Sequence, residues 1–400
     1  MYDTNKFQMT DGGFEYFADD FQYNPTVMTF NLEWGTAQRV FGSWTPSTYW
    51  LPDWWGRYPR LIRQANNFIE KAHPIPKESL TQREVDLMKA ECRFLKAYYW
   101  WSLAEVYGPI PYHEGNIASD ASGEELFAPR IPLDDLVEIL DKEFKAVAEL
   151  LPVKYAETRK YGRATKLMAM IERARMLLFW ASPLVNGNPD YAHYMRPGID
   201  PKPLINPAYD HNKMIRAAKA WKEVIELAEA NGYALSKVYN SDGTIDPFLS
   251  VQSVKFDTNN NEITWPATNS HDIWFVNQGQ PTDLNGANIL GTTLDLVDDF
   301  FMENGLRRGD DGSGYVEDGF TTGVHKRNDT AWDGGTGVAG EITADHTYNM
   351  FANREPRFYV AIRFTGAWCH PANRKYDFRR GGADNDGGWQ TNRAGLAMNK

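Results

Sequence analysis

Apolar positions recur at helical spacing through the first 235 residues and lose that period afterwards. The most regular stretch is 81–112. In it Val85, Met88, Cys92, Leu95, Tyr99, Ser102 and Val106 form one stripe, and Ala90, Phe94, Ala97, Tyr98, Trp101 and Ala104 form a second. A helix apolar on two sides is packed from two sides. Thr81 and Glu84 have capping-box spacing, and Gly108 followed by Pro109 is a stop. These signals predict one helix over 81–107. Arg93, Lys96 and Glu105 on it must find partners or snorkel. The aromatic block Tyr98, Tyr99, Trp100, Trp101 reads as packing ahead of any cofactor role.

Residues 51–72 predict a shorter helix, with Trp54, Tyr58, Leu61, Ile62, Ala65, Phe68, Ile69 and Ala72 on one face. Pro59 is tolerable there if it lies in the first turn. The turn at 73–79 makes these two helices an antiparallel hairpin. A second pair follows, one helix marked by Leu133, Leu136, Val137, Leu140, Phe144, Val147, Ala148 and Leu151, its partner over 164–181. A third pair is expected to start at Asn206-Pro207, with Ile215, Ala218, Trp221, Val224, Ile225 and Ala228 inward and a stop at Asn231-Gly232. Its second helix is missing from the pattern. Helix pairs recurring at tetratricopeptide-like lengths build a solenoid wall.

From about residue 236, Gly, Asn, Asp and Thr dominate. Only 295–302 keeps a helical phase, and 357–364 reads as a strand. Residues 1–50 also read as loop. The predicted fold is mainly α: tetratricopeptide-like helix pairs forming a solenoid wall, with a large irregular loop-rich insertion carrying a few short strands. The expected division is a helical region over 1–235 and the insertion over 236–400, within one domain.

Charge narrows the function classes. A formal net charge of −11 disfavours binding to a nucleic-acid backbone. The 14 Trp, 20 Tyr and 21 Phe supply flat apolar faces in excess of what the helical stripes absorb, and sugar rings stack on such faces. Cys92 lies on an apolar stripe and reads as a buried free thiol; a disulfide with Cys369 stays open. No run approaches the 18 apolar residues of a membrane span. The first residues carry neither a basic nor an apolar signal region, so the protein is expected to be cytosolic or to have had a signal segment removed or omitted.

Catalytic signatures do not emerge. H-E-x-x-H, G-x-S-x-G, a phosphate-binding loop and C-x-x-C are all missing, and no two His have i, i+4 spacing. Asp384-Asn385-Asp386-Gly387 echoes half of a calcium loop and is read as a turn. Asp134-Asp135, Asp298-Asp299 and Asp310-Asp311 are carboxylate pairs, of which the first is explained by a helix first turn. No cofactor is expected. Binding asks for less: aromatic platforms with a few polar side chains. The candidates are Trp50, Trp54, Trp55 and Arg57 before and within the first helix, and Trp265, Asn269, Trp274 and Asn277 beyond residue 236. For each Trp, core packing is as plausible as ligand contact.

Arg93-Phe94-Leu95-Lys96-Ala97-Tyr98-Tyr99-Trp100, running into Tyr107-Gly108-Pro109, resembles a signature of the SusD/RagB family of surface glycan-binding lipoproteins. Gly162-Arg163-Ala164-Thr165-Lys166, the stretch 217–235, the stretch 294–305 and Asn353-Arg354-Glu355-Pro356-Arg357 resemble further segments of the family. The resemblance implies a glycan ligand and a SusC-like TonB-dependent transporter as partner. It also implies an outer-membrane address through a lipid anchor not present in this chain, and no bond chemistry. Two later family segments and the lipidated cysteine are not found, so the chain is expected to be incomplete and to lack its fourth helix pair. The alternatives are an α-helical glycoside hydrolase and a cytosolic helical-repeat scaffold for peptides.

Overall fold

The computed structural model describes residues 20–23, 45, 54–75, 77, 80–196, 202–256, 260–266, 279–280, 286–288, 290–326, 341–369, 372, 374–385 and 395–398. The chain divides into two compact units. One takes in Met1–Asp3, Asp53–Leu235 and Asn261–Thr268; the other takes in Thr4–Pro52, Ser236–Asn260 and Asn269–Lys400.

The first unit is built on α1 (Trp54–Lys71) and α2 (Gln82–Tyr107). Thr81 caps α2 as its sequence predicts. The Thr81 hydroxyl accepts from the Glu84 N–H at 3.3 Å, and the Thr81 N–H donates to the Glu84 carboxylate at 2.9 Å. Gly108 ends the helix at φ 71°, its N–H bonded to the Ala104 carbonyl at 2.9 Å. That left-handed conformation is cheap only for glycine. Ile75 and Leu80 pair across the intervening turn, and Trp55 at the start of α1 meets Tyr107 at the end of α2, so the hairpin is antiparallel. Both stripes of α2 are buried: Val85, Cys92, Leu95, Tyr99 and Ser102 on one, Ala90, Phe94, Ala97, Tyr98, Trp101 and Ala104 on the other.

After the single turn α3 (Gly123–Leu126), α4 (Leu133–Leu150), α5 (Lys166–Ala181) and α6 (His211–Ala230) follow. Helix α4 packs on α2 and α5, and α5 packs on α6. Their ends interlock. Lys166 at the start of α5 pairs with Glu149 at the end of α4 at 3.0 Å, while the Trp180 indole at the end of α5 donates to Asp134 at the start of α4 at 2.6 Å. Asp141 gathers Arg173 at 2.6 Å, Lys145 at 2.7 Å and Arg216 at 3.3 Å, and Arg173 reaches on to Glu223 at 2.9 Å. Burial pushes the Asp141 carboxyl upward, but hydrogen bonds and charge from Lys145 and Arg173 outweigh it and hold it below the ordinary aspartate range. Lys213 and Arg216 of α6 lie over the Trp180 ring at 4.4 and 4.9 Å.

Helix α6 departs from expectation in two ways. Asn206-Pro207 does not start it. Asn206 instead accepts the Ala208 N–H at 3.0 Å in a local turn, and Asp210 caps the helix through the Asn212 N–H at 2.9 Å. Its buried face is Lys213, Ala217, Ala220 and Val224, whereas Ile215 and Ile225 are each 53% exposed. The ion pairs of Lys213 and Arg216 with α4 rotate the helix, and the small Ala217 and Ala220 allow close approach.

The second unit carries α7 (Pro247–Phe256), α8 (Leu294–Asp299) and α9 (Pro356–Ala361). Its short strands pair antiparallel: β1 (Phe21–Tyr23) with β4 (Leu290–Thr292), β2 (Val238–Tyr239) with β3 (Ile245–Asp246), β5 (His325–Lys326) with β6 (Glu341–Thr343), β7 (Ile362–Phe364) with β10 (Leu396–Met398), and β8 (Trp368–Cys369) with β9 (Arg374–Lys375). The strand expected over 357–364 is therefore half helix. Pro356 takes the first helical position, which a β-rich run of Phe, Tyr and Val disguises. Helix α7 has no counterpart in the sequence reading, and Phe21–Tyr23, read as loop, supply a strand.

Phe351, Phe358 and Phe364 stack at the centre of this unit, with Phe351 and Phe364 4.8 Å apart. Arg354 is buried among them and donates to the carbonyls of Phe300 and Met350 at 2.9 and 3.0 Å. Both oxygens of buried Asp384 are taken by Arg374 at 2.6 and 2.7 Å, which gives that segment a structural role. Cys92 and Cys369 are both buried and form no disulfide, and burial pushes the Cys92 thiol up to about 11. No described helix is long and apolar enough to cross a membrane.

Candidate functional site

Successive residues on a helix point about 100° apart, so Trp54 and Trp55 cannot share a face. Trp54 continues the stripe of Tyr58, Ile62 and Ala65 and is 1% exposed; its indole is part of the hairpin core and offers no open face. Trp55 points outward and is 46% exposed. The antiparallel pairing brings it against Tyr107, itself 39% exposed, edge to face at a centroid distance of 5.3 Å. The result is an open two-ring shelf held by two helix ends. Arg57 is exposed on the same first turn of α1.

Trp265 belongs to the helical unit. It is half-buried and lies 5.5 Å from both Phe94 and Tyr98, the fully buried rings of α2. Its position is thus fixed by packing, with part of the ring left open. Trp50, Asn269, Trp274 and Asn277 lie outside the described residues. The described structure brings Trp55 and Arg57 onto one helix turn and puts Trp54 and Trp265 elsewhere.

Sequence reasoning missed Tyr107 as the partner of Trp55. The signal was available: a tyrosine one residue before a glycine stop has no following turn to cover it. It also missed an aromatic cluster in the second unit. Phe320 is 59% exposed, stacks on His346 at 5.8 Å with planes 14° apart, and meets Tyr348 edge to face at 5.6 Å. His346 sits at φ 61°, in the left-handed region. Asp345 holds that turn by accepting from the N–H groups of Gly323 at 2.6 Å and His346 at 3.0 Å. The same bonds, that of Gly323 first, keep the Asp345 carboxyl below its ordinary range. No sequence period announces such a cluster.

One member of each carboxylate pair weighed for hydrolysis is engaged in structure. Asp134 takes the Trp180 indole and the Lys213 ammonium, the latter at 2.7 Å, and Asp298 pairs with Arg308 at 3.0 Å. Asp310 accepts the Arg307 N–H at 2.8 Å.

Comparison with known proteins places the chain. A family model described as starch-binding and associating with the outer membrane matches residues 7–178, and the SusD family model matches residues 249–400. The chain belongs to the SusD/RagB family. Among SusD proteins, the starch-binding protein SusD of Bacteroides thetaiotaomicron is 28% identical over 160 residues, which is 38% of this chain and 24% of that protein. Solved structures similar to this chain include BT4246, with a TM-score of 0.72 and 23% identity over 95% of this chain and 67% of that one. A SusD-like carbohydrate binding protein of Bacteroides fragilis, BF0978, has a TM-score of 0.58 and 16% identity over 96% of this chain and 60% of its own. At such identities the likeness shows the SusD-like fold alone: mainly helical, with few short strands.

Proposed function

We propose that the protein binds glycan on exposed aromatic surfaces and delivers it to a TonB-dependent transporter of the outer membrane, without breaking bonds. The observation that carries this reading is the Trp55–Tyr107 pair: two exposed aromatic side chains meeting edge to face, held by the ends of the helical hairpin. Pre-set aromatic faces bind sugar rings with little ordering cost. Arg57 on the same helix turn is a proposed further contact; Trp265, Trp50, Asn269, Trp274 and Asn277 are proposed glycan contacts in their own right and are not assigned to the shelf. Family membership supports the ligand class. Membrane attachment would be through lipid, at the cell surface. For the hydrolase alternative, Asp134 and Asp298 are each held in an ion pair, with Lys213 and Arg308, and the release of reducing sugar decides between the two readings.

Affinity electrophoresis through gels containing neutral polysaccharides tests the binding. Retardation by at least one polysaccharide, with no release of reducing ends, is the expected result. Migration unchanged in every gel, or release of reducing sugar, contradicts it. Co-purification of a TonB-dependent transporter from native membranes tests the partner.

A further inference from the structure

Helix α6 keeps one flank uncovered. Its core-facing side is Lys213, Ala217, Ala220 and Val224. Beside that side runs a second stripe: Met214, Ala218, Trp221, Ile225 and Ala228. Met214 is 42% and Ile225 53% exposed, Ala218 is exposed, and Trp221 and Ala228 are half-buried. Successive members are spaced 4, 3, 4 and 3 residues apart, the spacing of a seam between two helices. Apolar residues scattered singly over a surface need no explanation, but a stripe kept in phase for about four turns does.

The stripe is nearly symmetric about Trp221. Turned end for end, it sets Met214 opposite Ala228 and Ala218 opposite Ile225, a large side chain against a small one each time. Such a surface fits a copy of itself about a two-fold axis, where the same patch serves both partners. The exposed charges beside the stripe obey the same symmetry. Lys219 and Lys222 come before Glu226 and Glu229 along the helix. An antiparallel partner brings the lysines of each copy towards the glutamates of the other, whereas a parallel one opposes like charges. The acidic end is the C-terminal one, the reverse of what the helix dipole favours, so helix stability does not account for this order. Within one chain Lys222 and Glu226 pair at 3.7 Å with both side chains largely in water, which holds neither firmly.

We propose that α6 is a self-association surface, along which two copies of this protein pair antiparallel. One helix pair lies at the small end of protein interfaces, so the dimer is weak and reversible, with a Kd on the order of 10–100 μM.

Sedimentation equilibrium of the whole chain, from well below to well above that Kd, tests this. The average mass should rise from monomer towards dimer. Ile225→Glu, at an exposed position, should hold the protein monomeric at an unchanged Tm. The double variants Lys219→Glu/Lys222→Glu and Glu226→Lys/Glu229→Lys should each self-associate at least about tenfold more weakly, and a mixture of the two should recover the dimer. Single cysteines read the direction of pairing against a clean background, since Cys92 and Cys369 are buried. Lys222→Cys, close to the axis, should give a disulfide-linked dimer under mild oxidation. Met214→Cys should not, because its two copies would lie roughly 20 Å apart. A protein monomeric at every concentration, which would leave the stripe to a helix of another protein, overturns the proposal. So does a dimer that survives Ile225→Glu, or cross-linking through Met214→Cys as ready as through Lys222→Cys.

Discussion

Trp55 and Tyr107 come from opposite ends of one helical hairpin and meet edge to face at 5.3 Å, with Trp55 46% exposed. Fifty-one residues of chain lie between them, and the pairing of α1 with α2 brings them together. The shelf is therefore only as rigid as the hairpin.

That dependence makes the cap of α2 testable. Thr81 and Glu84 satisfy the first-turn N–H groups reciprocally. Thr81→Ala should cost about 1 kcal/mol of stability. Urea denaturation checks it, and Thr81→Ser should recover most of the loss. An unchanged midpoint in Thr81→Ala would show that the cap is idle.

Acid should weaken the helical unit through Asp141. Its folded carboxyl ionises below the ordinary aspartate value, because Lys145 and Arg173 outweigh burial. The unfolded chain then binds more protons than the folded one as pH falls. The contribution is complete above the unfolded value of about 4 and is lost as pH drops through the folded value. Denaturation midpoints measured from pH 6 to pH 2 should fall most steeply below pH 4. In Asp141→Asn that part of the slope should diminish.

Gly366 joins β7 to β8 at φ 100°, and a Cβ placed there would lie 2.3 Å from the hydroxyl of buried Thr347. Thr347 cannot retreat, since its hydroxyl donates to the Ala344 carbonyl at 2.8 Å. Gly366→Ala should cost about 2 kcal/mol or more, from backbone strain and overlap together. Thermal unfolding followed by near-UV circular dichroism measures this. A Tm equal to that of the parent protein would contradict it.

The helices were legible because their signals are local: the capping box at Thr81, the stop at Gly108 and the double stripe of α2 all lie within a few turns. What was not legible is rotation and partnership. The face of α6 is set by Lys213 and Arg216 reaching acids roughly eighty residues earlier in the chain, which no hydrophobic period encodes. Adjacent indoles raise the same difficulty on a smaller scale. Trp54 and Trp55 are equivalent in composition, and only the stripe through Tyr58 and Ile62 tells which is core. In the second unit, Arg354 is buried by carbonyls and rings drawn from three segments, and Phe320 meets His346 through a turn held by Asp345. Such arrangements leave almost no periodic trace.

The account stands on the Trp55–Tyr107 shelf holding glycan. Isothermal titration of parent protein, Trp55→Ala and Tyr107→Ala against whichever polysaccharide retards the parent in gels measures this directly. Both residues are exposed enough for the variants to fold, which a shared Tm confirms. Each substitution should weaken binding at least about tenfold, the loss of one stacking face, with little dependence on salt. Unaltered affinity in both variants, at equal stability, would contradict it.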